Sequence, residues 1–301
     1  MIAAAQTRPV RAALIIAPLL FLAVAAVQVR IDANPRSSAQ QEQELLLRSG
    51  PLAKKLSLGY DSLLADIYWT RAVQYYGARV GTPGSNFDLL WPLLDVTTAL
   101  DPHLIVAYRF GAIFLSEPEA GANRPDLAIE LSKRGIAANP KEWRLGTDLG
   151  LLYYLRMRDY RQAAATYVET SKIPGAPEWI SIMAARVAQT GGSLETSRII
   201  WAQLYKSTND PTIRKKATEQ IESLRAQEDQ MHLDELAAEY GKRFGRFPAT
   251  IQDLVAAGLL NGVPVDPAGF PYVLASDGKS HLNPASPVVI IPAPREPPGT
   301  K

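Results

Sequence analysis

WRLGTDLGLLYYLRMRDYRQAAATYV, residues 143–168, decides the fold of this chain. Leu149, Gly150 and Tyr153 share one helical face, and Tyr160, Ala163, Ala164 and Tyr167 share a second. Small residues let two helices approach closely, and aromatic rings fill the gaps beside them. Outward from this stretch the same punctuation recurs, at Leu100-Asp101-Pro102, Ala138-Asn139-Pro140, Ala176-Pro177 and Asp210-Pro211, with intervals between the prolines of 38, 37 and 34 residues. A period in this range marks a helix-pair repeat, in which each unit buries its apolar face by stacking on its neighbours.

Residues 143–168 resemble a tetratricopeptide repeat, a family whose first helix carries a bulky residue, a Leu-Gly pair and an aromatic, and whose second carries small and aromatic residues before a closing proline. Tyr108, Gly111, Ala112 and Leu115, followed by Ala128, Gly135 and Pro140, take the corresponding places in the preceding unit. Trp179, Ile182, Ser197 and Trp201 occupy them in the following one, and Trp91, Leu94 and Pro102 belong to an earlier half-visible unit. The departures are a long inter-helix loop at Ser116–Asp126 and one unit without its Leu-Gly pair. The resemblance implies a mostly α chain, with a tetratricopeptide-like α-solenoid of antiparallel helix pairs over residues 56–228. The first helix is expected at Leu58–Gly77, and an amphipathic helix running from Thr212 towards Tyr240 closes the solenoid.

Two flanking regions differ in character. Near the start, Arg8 and Arg11 precede an apolar run from Ala12 to Val27 that extends to Val29, 18 residues in all and about 27 Å as a helix at ~1.5 Å per residue. Residues 12–29 therefore read as a transmembrane helix, with 1–11 cytoplasmic and a polar linker over 30–55. The alternative is a cleaved signal peptide ending at Ala23-Val24-Ala25. Either places the bulk of the chain in the periplasm, as a single-pass inner-membrane protein of a bacterium or as a secreted one. Towards the other end, residues 229–283 read as a small α+β module. It has a short helix at Thr250–Ala257, an Asp266-Pro267-Ala268-Gly269 turn and a hairpin near Tyr272–Leu282. This order also resembles the last part of type II secretion major pseudopilins. Residues 284–301 form a proline-rich tail, expected to be extended and mobile and to act as a polyproline-type ligand.

Composition and motifs point away from catalysis. The chain is 47% hydrophobic and 21% charged, and 32 basic against 30 acidic residues leave a net charge of +2. So small a charge gives no reason to expect nucleic-acid binding. There is no cysteine, hence no disulfide framework or thiolate metal site. His103, His232 and His281 lie far apart without metal-ligand spacing, and no nucleophile elbow, phosphate loop or dinucleotide fingerprint is present. Glu117 with Glu119, and Asp234 with Glu235, read as solvated charge. The expectation is a protein without metal or small-molecule cofactor and not an enzyme; a hydrolase without a local motif is the remote alternative.

A solenoid lays a partner protein or peptide in the groove lined by its first helices. The residues that the resemblance places there are Arg109 and Ile113 in one unit and Thr147, Leu151 and Tyr154 in the next, while Asp66, Tyr68, Arg71 and Tyr75 form a polar and aromatic cluster on the first helix. Arg and Tyr are enriched at binding hot spots. Trp69, Trp143, Trp179 and Trp201 are expected in the core. The function implied is a membrane-anchored scaffold or adaptor facing the periplasm, with a subunit of a pilus or secretion assembly, docking through residues 229–283, as the alternative.

Overall fold

The computed structural model describes residues 7–32, 49–82 and 84–295, with side chains from Pro18 to Arg30 and from Ser49 onward. Residues 1–6, most of the expected linker and the tail beyond Arg295 lie outside the described residues. The chain divides into two compact units, Met1–Arg48 and Ser49–Lys301.

The described part of the first unit is helix α1, Thr7–Asp32. From Pro18 to Arg30 its side chains are mostly exposed, with Leu19, Leu20, Phe21, Leu22, Val24, Val27 and Val29 among them. A transmembrane helix over 12–29 is not found: among the described residues no helix is long and apolar enough to cross a membrane. Side chains 12–17 of the expected span lie outside the described residues.

The second unit is mostly helical. It begins with α2 (Gly50–Leu56), α3 (Asp61–Gly77) and α4 (Leu90–Leu100). There follow α5 (Ile105–Ser116), α6 (Pro125–Ala138), α7 (Trp143–Leu152), α8 (Tyr160–Ser171), α9 (Trp179–Thr190) and α10 (Leu194–Ser207). The long α11 (Pro211–Phe244) and the short α12 (Ile251–Ala256) complete the helices. From α3 to α11 each helix packs against the next in sequence, and α5 also touches α7. Helix α3 starts three residues later than the sequence suggests, because Leu58 and Gly59 adopt positive φ and make a turn instead.

Glycines set the closest helix approaches. A Cβ on Gly111 would lie 2.8 Å from Leu94 and 2.9 Å from Leu131, and one on Gly150 would lie 2.8 Å from the Tyr167 ring. Around these contacts the core runs through Tyr68, Leu94, Tyr108, Leu131, Tyr167, Ile180, Trp201 and Leu224, all buried. Trp201 is therefore in the core as expected, but Trp69 and Trp143 are half-buried and Trp179 is nearly half exposed, its ring set edge-on to that of Trp143 at 6.2 Å. Between α7 and α8 the chain makes a π-helical turn, Tyr153–Met157, closed by Arg158 in the left-handed region. No feature of the sequence announces that turn.

Helix α11 is long because both ends are capped. The Asp210 carboxylate accepts from the backbone N–H of Thr212 and Ile213, Pro211 occupies the first turn, and Gly245 ends the helix at φ 69°. Its second half carries a small module. There α12 leads to a turn in which Asp266 Oδ1 accepts from the N–H of Ala268 and Phe270, then to the antiparallel pair β1 (Val273–Leu274) and β2 (Ser280–His281). Leu233, Tyr240, Ile251, Leu254 and Tyr272 form its separate core. The Tyr272 hydroxyl donates to Asp229 at 2.8 Å, and Asp234 accepts from the Ser280 N–H at 2.7 Å, the Ser280 hydroxyl at 2.8 Å and Lys279 at 3.0 Å.

These bonds tie β2 to α11 through the Asp234 carboxylate. Burial works against the charged form of Asp234, but the Ser280 N–H, Lys279 and the Ser280 hydroxyl outweigh it and hold the carboxyl below its ordinary 3.8. A carboxyl depressed by folding contributes stability that is present above its unfolded value and lost as pH falls through its folded one. Amide exchange at Ser280, corrected for intrinsic rate, is expected to stay slow at neutral pH and to accelerate only below 3.8. Asp234→Ala should exchange fast at every pH; slow exchange in that variant would show that Asp234 does not hold β2 to α11.

Candidate protein-binding face

Helix α5 buries Ala107, Tyr108, Gly111, Ala112 and Leu115. Helical geometry then turns Arg109, Phe110, Ile113 and Phe114 to the other side. Helix α7 does the same, burying Leu145, Gly146, Leu149, Gly150 and Leu152 and leaving Asp148 and Leu151 outward, with Leu155 and Arg156 beyond them in the π-helical turn. The two outward faces meet. Arg109, Ile113, Glu117, Asp148, Leu151, Leu155 and Arg156 line one small cleft of about 80 Å³.

Ion pairs tie the cleft together. Arg109 Nε donates to Asp148 at 2.6 Å, and Arg156 donates to Glu117. A third pair, Arg134 with Asp95 at 2.7 Å, joins α6 to α4. In all three pairs the partners are 39 residues apart in sequence. Gly111 and Gly150 are also 39 residues apart. Aligning one glycine on the other sets Arg109 against Asp148 and Glu117 against Arg156, so a signal for these pairs was present in the sequence. The hydrogen bond to Asp148 leads in raising Arg109 above its ordinary value, with burial opposing and the Asp148 and Glu142 charges adding, so the guanidinium is fixed as a cation and already neutralised.

Beside the cleft lies an aromatic group. The Phe114 ring stacks on Tyr76 at 3.9 Å and is nearly parallel to Trp69 at 6.2 Å, with Phe110 tilted against it at 6.4 Å and Phe87 tilted against Tyr76 at 5.9 Å. Trp69 and Tyr76 come from α3. Phe110 is 48% exposed, Ile113 47% and Leu151 43%, which leaves large apolar side chains open to solvent beside paired charges.

The sequence-derived residues thus separate into groups. Arg109, Ile113 and Leu151 come together in the cleft. Tyr68 is fully buried and Tyr75 nearly so, its hydroxyl donating to the Asn86 carbonyl at 2.9 Å, so both are core residues. A helix face turned to a neighbouring helix and one turned to a groove share the same spacing, which is why sequence alone merged them. Thr147 is buried and donates to the Arg144 carbonyl at 2.7 Å, and Tyr154 is half-buried against Tyr160, their rings 5.7 Å apart. Asp66 is exposed on α3, and Arg71 is half-buried on the same helix. Asp148, Phe110, Phe114 and Tyr76 belong to the face and were not singled out from the sequence.

The three histidines are exposed, His103 bonding Asn139 at 2.9 Å. Among the described residues no three His, Asp or Glu side chains are grouped so as to hold a metal ion. No family model matches this chain, and no curated protein matches it.

Proposed function

We propose that this chain is a non-enzymatic scaffold for protein binding, a solenoid of antiparallel helix pairs similar to tetratricopeptide repeats, whose partner polypeptide docks on the α5 and α7 face. Three features support the solenoid: sequential packing from α3 to α11, three ion pairs that share a 39-residue separation, and glycine-mediated helix contacts the same interval apart. One observation carries the binding assignment. Phe110, Ile113 and Leu151 stand exposed next to an aromatic stack and a cleft whose charges are already paired, and exposed apolar clusters of this kind mark interaction surfaces. Because Arg109 is held by Asp148, the partner's contribution there is apolar contact rather than a counter-charge.

The scaffold is attached to a bacterial inner membrane through α1, with the second unit in the periplasm. The arginines ahead of the apolar run and the apolar side chains exposed on α1 support this reading. Intact mass of the protein from its native source separates it from the secreted alternative. A chain that keeps residues 12–29 and resists carbonate extraction is anchored, whereas a chain beginning just past Ala25 overturns attachment.

Docking is tested with Ile113→Asp combined with Leu151→Asp. Both side chains are exposed, so folding should be kept and the circular dichroism unchanged. Burying each in an interface contributes about 1.5–3 kcal/mol, so their loss should weaken a partner's binding at least ~10-fold. A photo-crosslinker at Phe110 should capture that partner, and one at exposed Thr218 on α11 should not. Capture that is equal from both positions, or unaffected by the double substitution, would remove the face from consideration.

A further inference from the structure

Past the small module the chain turns at Asn283–Ser286 and continues without regular secondary structure to Arg295. The sequence suggests a free proline-rich tail, but the structure holds it at one residue. The Ile291 N–H donates to the Ser223 hydroxyl at 2.7 Å, and its carbonyl accepts from Gln189 at 3.1 Å and from Gln227 at 3.2 Å. Gln189 belongs to α9, and Ser223 and Gln227 belong to α11. Ser223 is fully buried and Gln189 is 3% exposed.

Buried amides and hydroxyls are costly to leave unpaired, so these side chains form a site whose complement is a peptide backbone. Gln227 also donates to the Ser223 hydroxyl at 3.0 Å, which orients that oxygen to receive an N–H. All three bonds are to the main chain, while the aliphatic side chains of Val288, Ile290 and Ile291 are half-buried and that of Val289, two residues before, is 70% exposed. Pro287, Pro292 and Pro294 bias the segment towards an extended form and lower the entropy lost when it binds.

We propose that the α9 and α11 clamp is a peptide-binding site for an extended, aliphatic, proline-flanked segment that presents one free N–H and C=O, and that residues 287–292 are its resident occupant in cis. A partner segment of the same chemistry takes the site by displacing this one. Three hydrogen bonds to a single residue make a weak grip, which tethering at millimolar effective concentration keeps filled until a competitor arrives. The site is separate from the α5 and α7 face, and its failure would leave that assignment untouched.

The test uses the full chain and a fluorescein-labelled peptide with the sequence of residues 284–295. Ile291→Pro in the chain removes the N–H that the clamp holds and leaves the clamp itself intact. By anisotropy this variant should bind the peptide at least ~10-fold more tightly than the unsubstituted chain, as expected when a tethered competitor is removed. Adding Ser223→Ala to it should abolish the gain, and a peptide carrying Ile291→Pro should bind none of the chains. Equal binding to the unsubstituted and Ile291→Pro chains, or a gain that survives Ser223→Ala, would overturn the proposal. A second measurement needs no added peptide. The Ile291 amide should exchange slowly in the unsubstituted chain and quickly in Ser223→Ala while the amides of α9 and α11 stay protected; free exchange in the unsubstituted chain would overturn the cis occupancy.

Discussion

Gly150→Leu is expected to cost the second unit about 3 kcal/mol, and Gly150→Ala about 1 kcal/mol, measured by urea unfolding. The alanine case sets two effects against each other. Alanine inside a helix gains about 1 kcal/mol of propensity over glycine. Against this, the new methyl would sit 2.8 Å from Cε1 and Cζ of Tyr167, a ring that is 2% exposed and has no room to withdraw. Overpacking costs about 1–3 kcal/mol, so the clash wins, and leucine enlarges it. Gly241→Ala supplies the control, since its methyl would meet the exposed Phe247 ring at 3.5 Å and the Arg246 carbonyl at 4.0 Å, both ordinary contacts. There the propensity is unopposed, and stability should rise by about 0.5–1 kcal/mol. Equal and opposite behaviour at the two glycines tests whether helix approach, rather than backbone freedom, explains Gly150. A neutral or stabilising Gly150→Ala would show that it does not.

That contact is also where the sequence is most informative. Leu149-Gly150 and the spacing of Tyr160, Ala163, Ala164 and Tyr167 carry the helix pair because close approach demands a small residue on one helix and a filling one on the other, a requirement written locally. The short helix, the Asp266 turn and the hairpin were legible for a similar reason, since each depends on neighbours within a few residues. The turn at Tyr153–Met157 was not, because those five side chains suit an α-helix equally well and only the surrounding packing selects the wider coil. Arg109, Ile113 and Leu151 were brought to one face by the repeat resemblance. That Arg109 was already neutralised depended on Asp148 one interval away, and that Tyr68 and Tyr75 were core depended on which helices cover α3. The held segment at Ile291 was hidden more deeply. Its three partners lie 64 to 102 residues away, and apolar residues between prolines have the same composition whether free or bound.

Trp201→Ala carries the other large expected effect, and it joins core stability to the clamp. Trp201 is fully buried on α10, in the cluster formed with Ala184, Ala185 and Ala188 of α9 and Ala217 and Leu224 of α11. Truncating a buried tryptophan to alanine costs about 3–5 kcal/mol through lost transfer energy and the cavity left behind. Its indole N–H, however, has no acceptor among the described residues, and a buried donor without a partner carries a penalty of roughly 1–3 kcal/mol. Trp201→Phe removes that donor while keeping a ring in place, so it should cost only about 1 kcal/mol, several-fold less than the alanine variant. Equal losses for the two would mean that the whole indole, donor included, is needed. The position of Trp201 adds a second readout. Gln189 on α9 and Ser223 with Gln227 on α11 can grip Ile291 only while the two helices keep their separation, and α10 packs against both. In mild urea Trp201→Ala should therefore release the Ile291 amide to exchange before the helices unfold, and Trp201→Phe should not. Simultaneous loss of Ile291 protection and helicity would instead make the segment a passive part of one cooperative core.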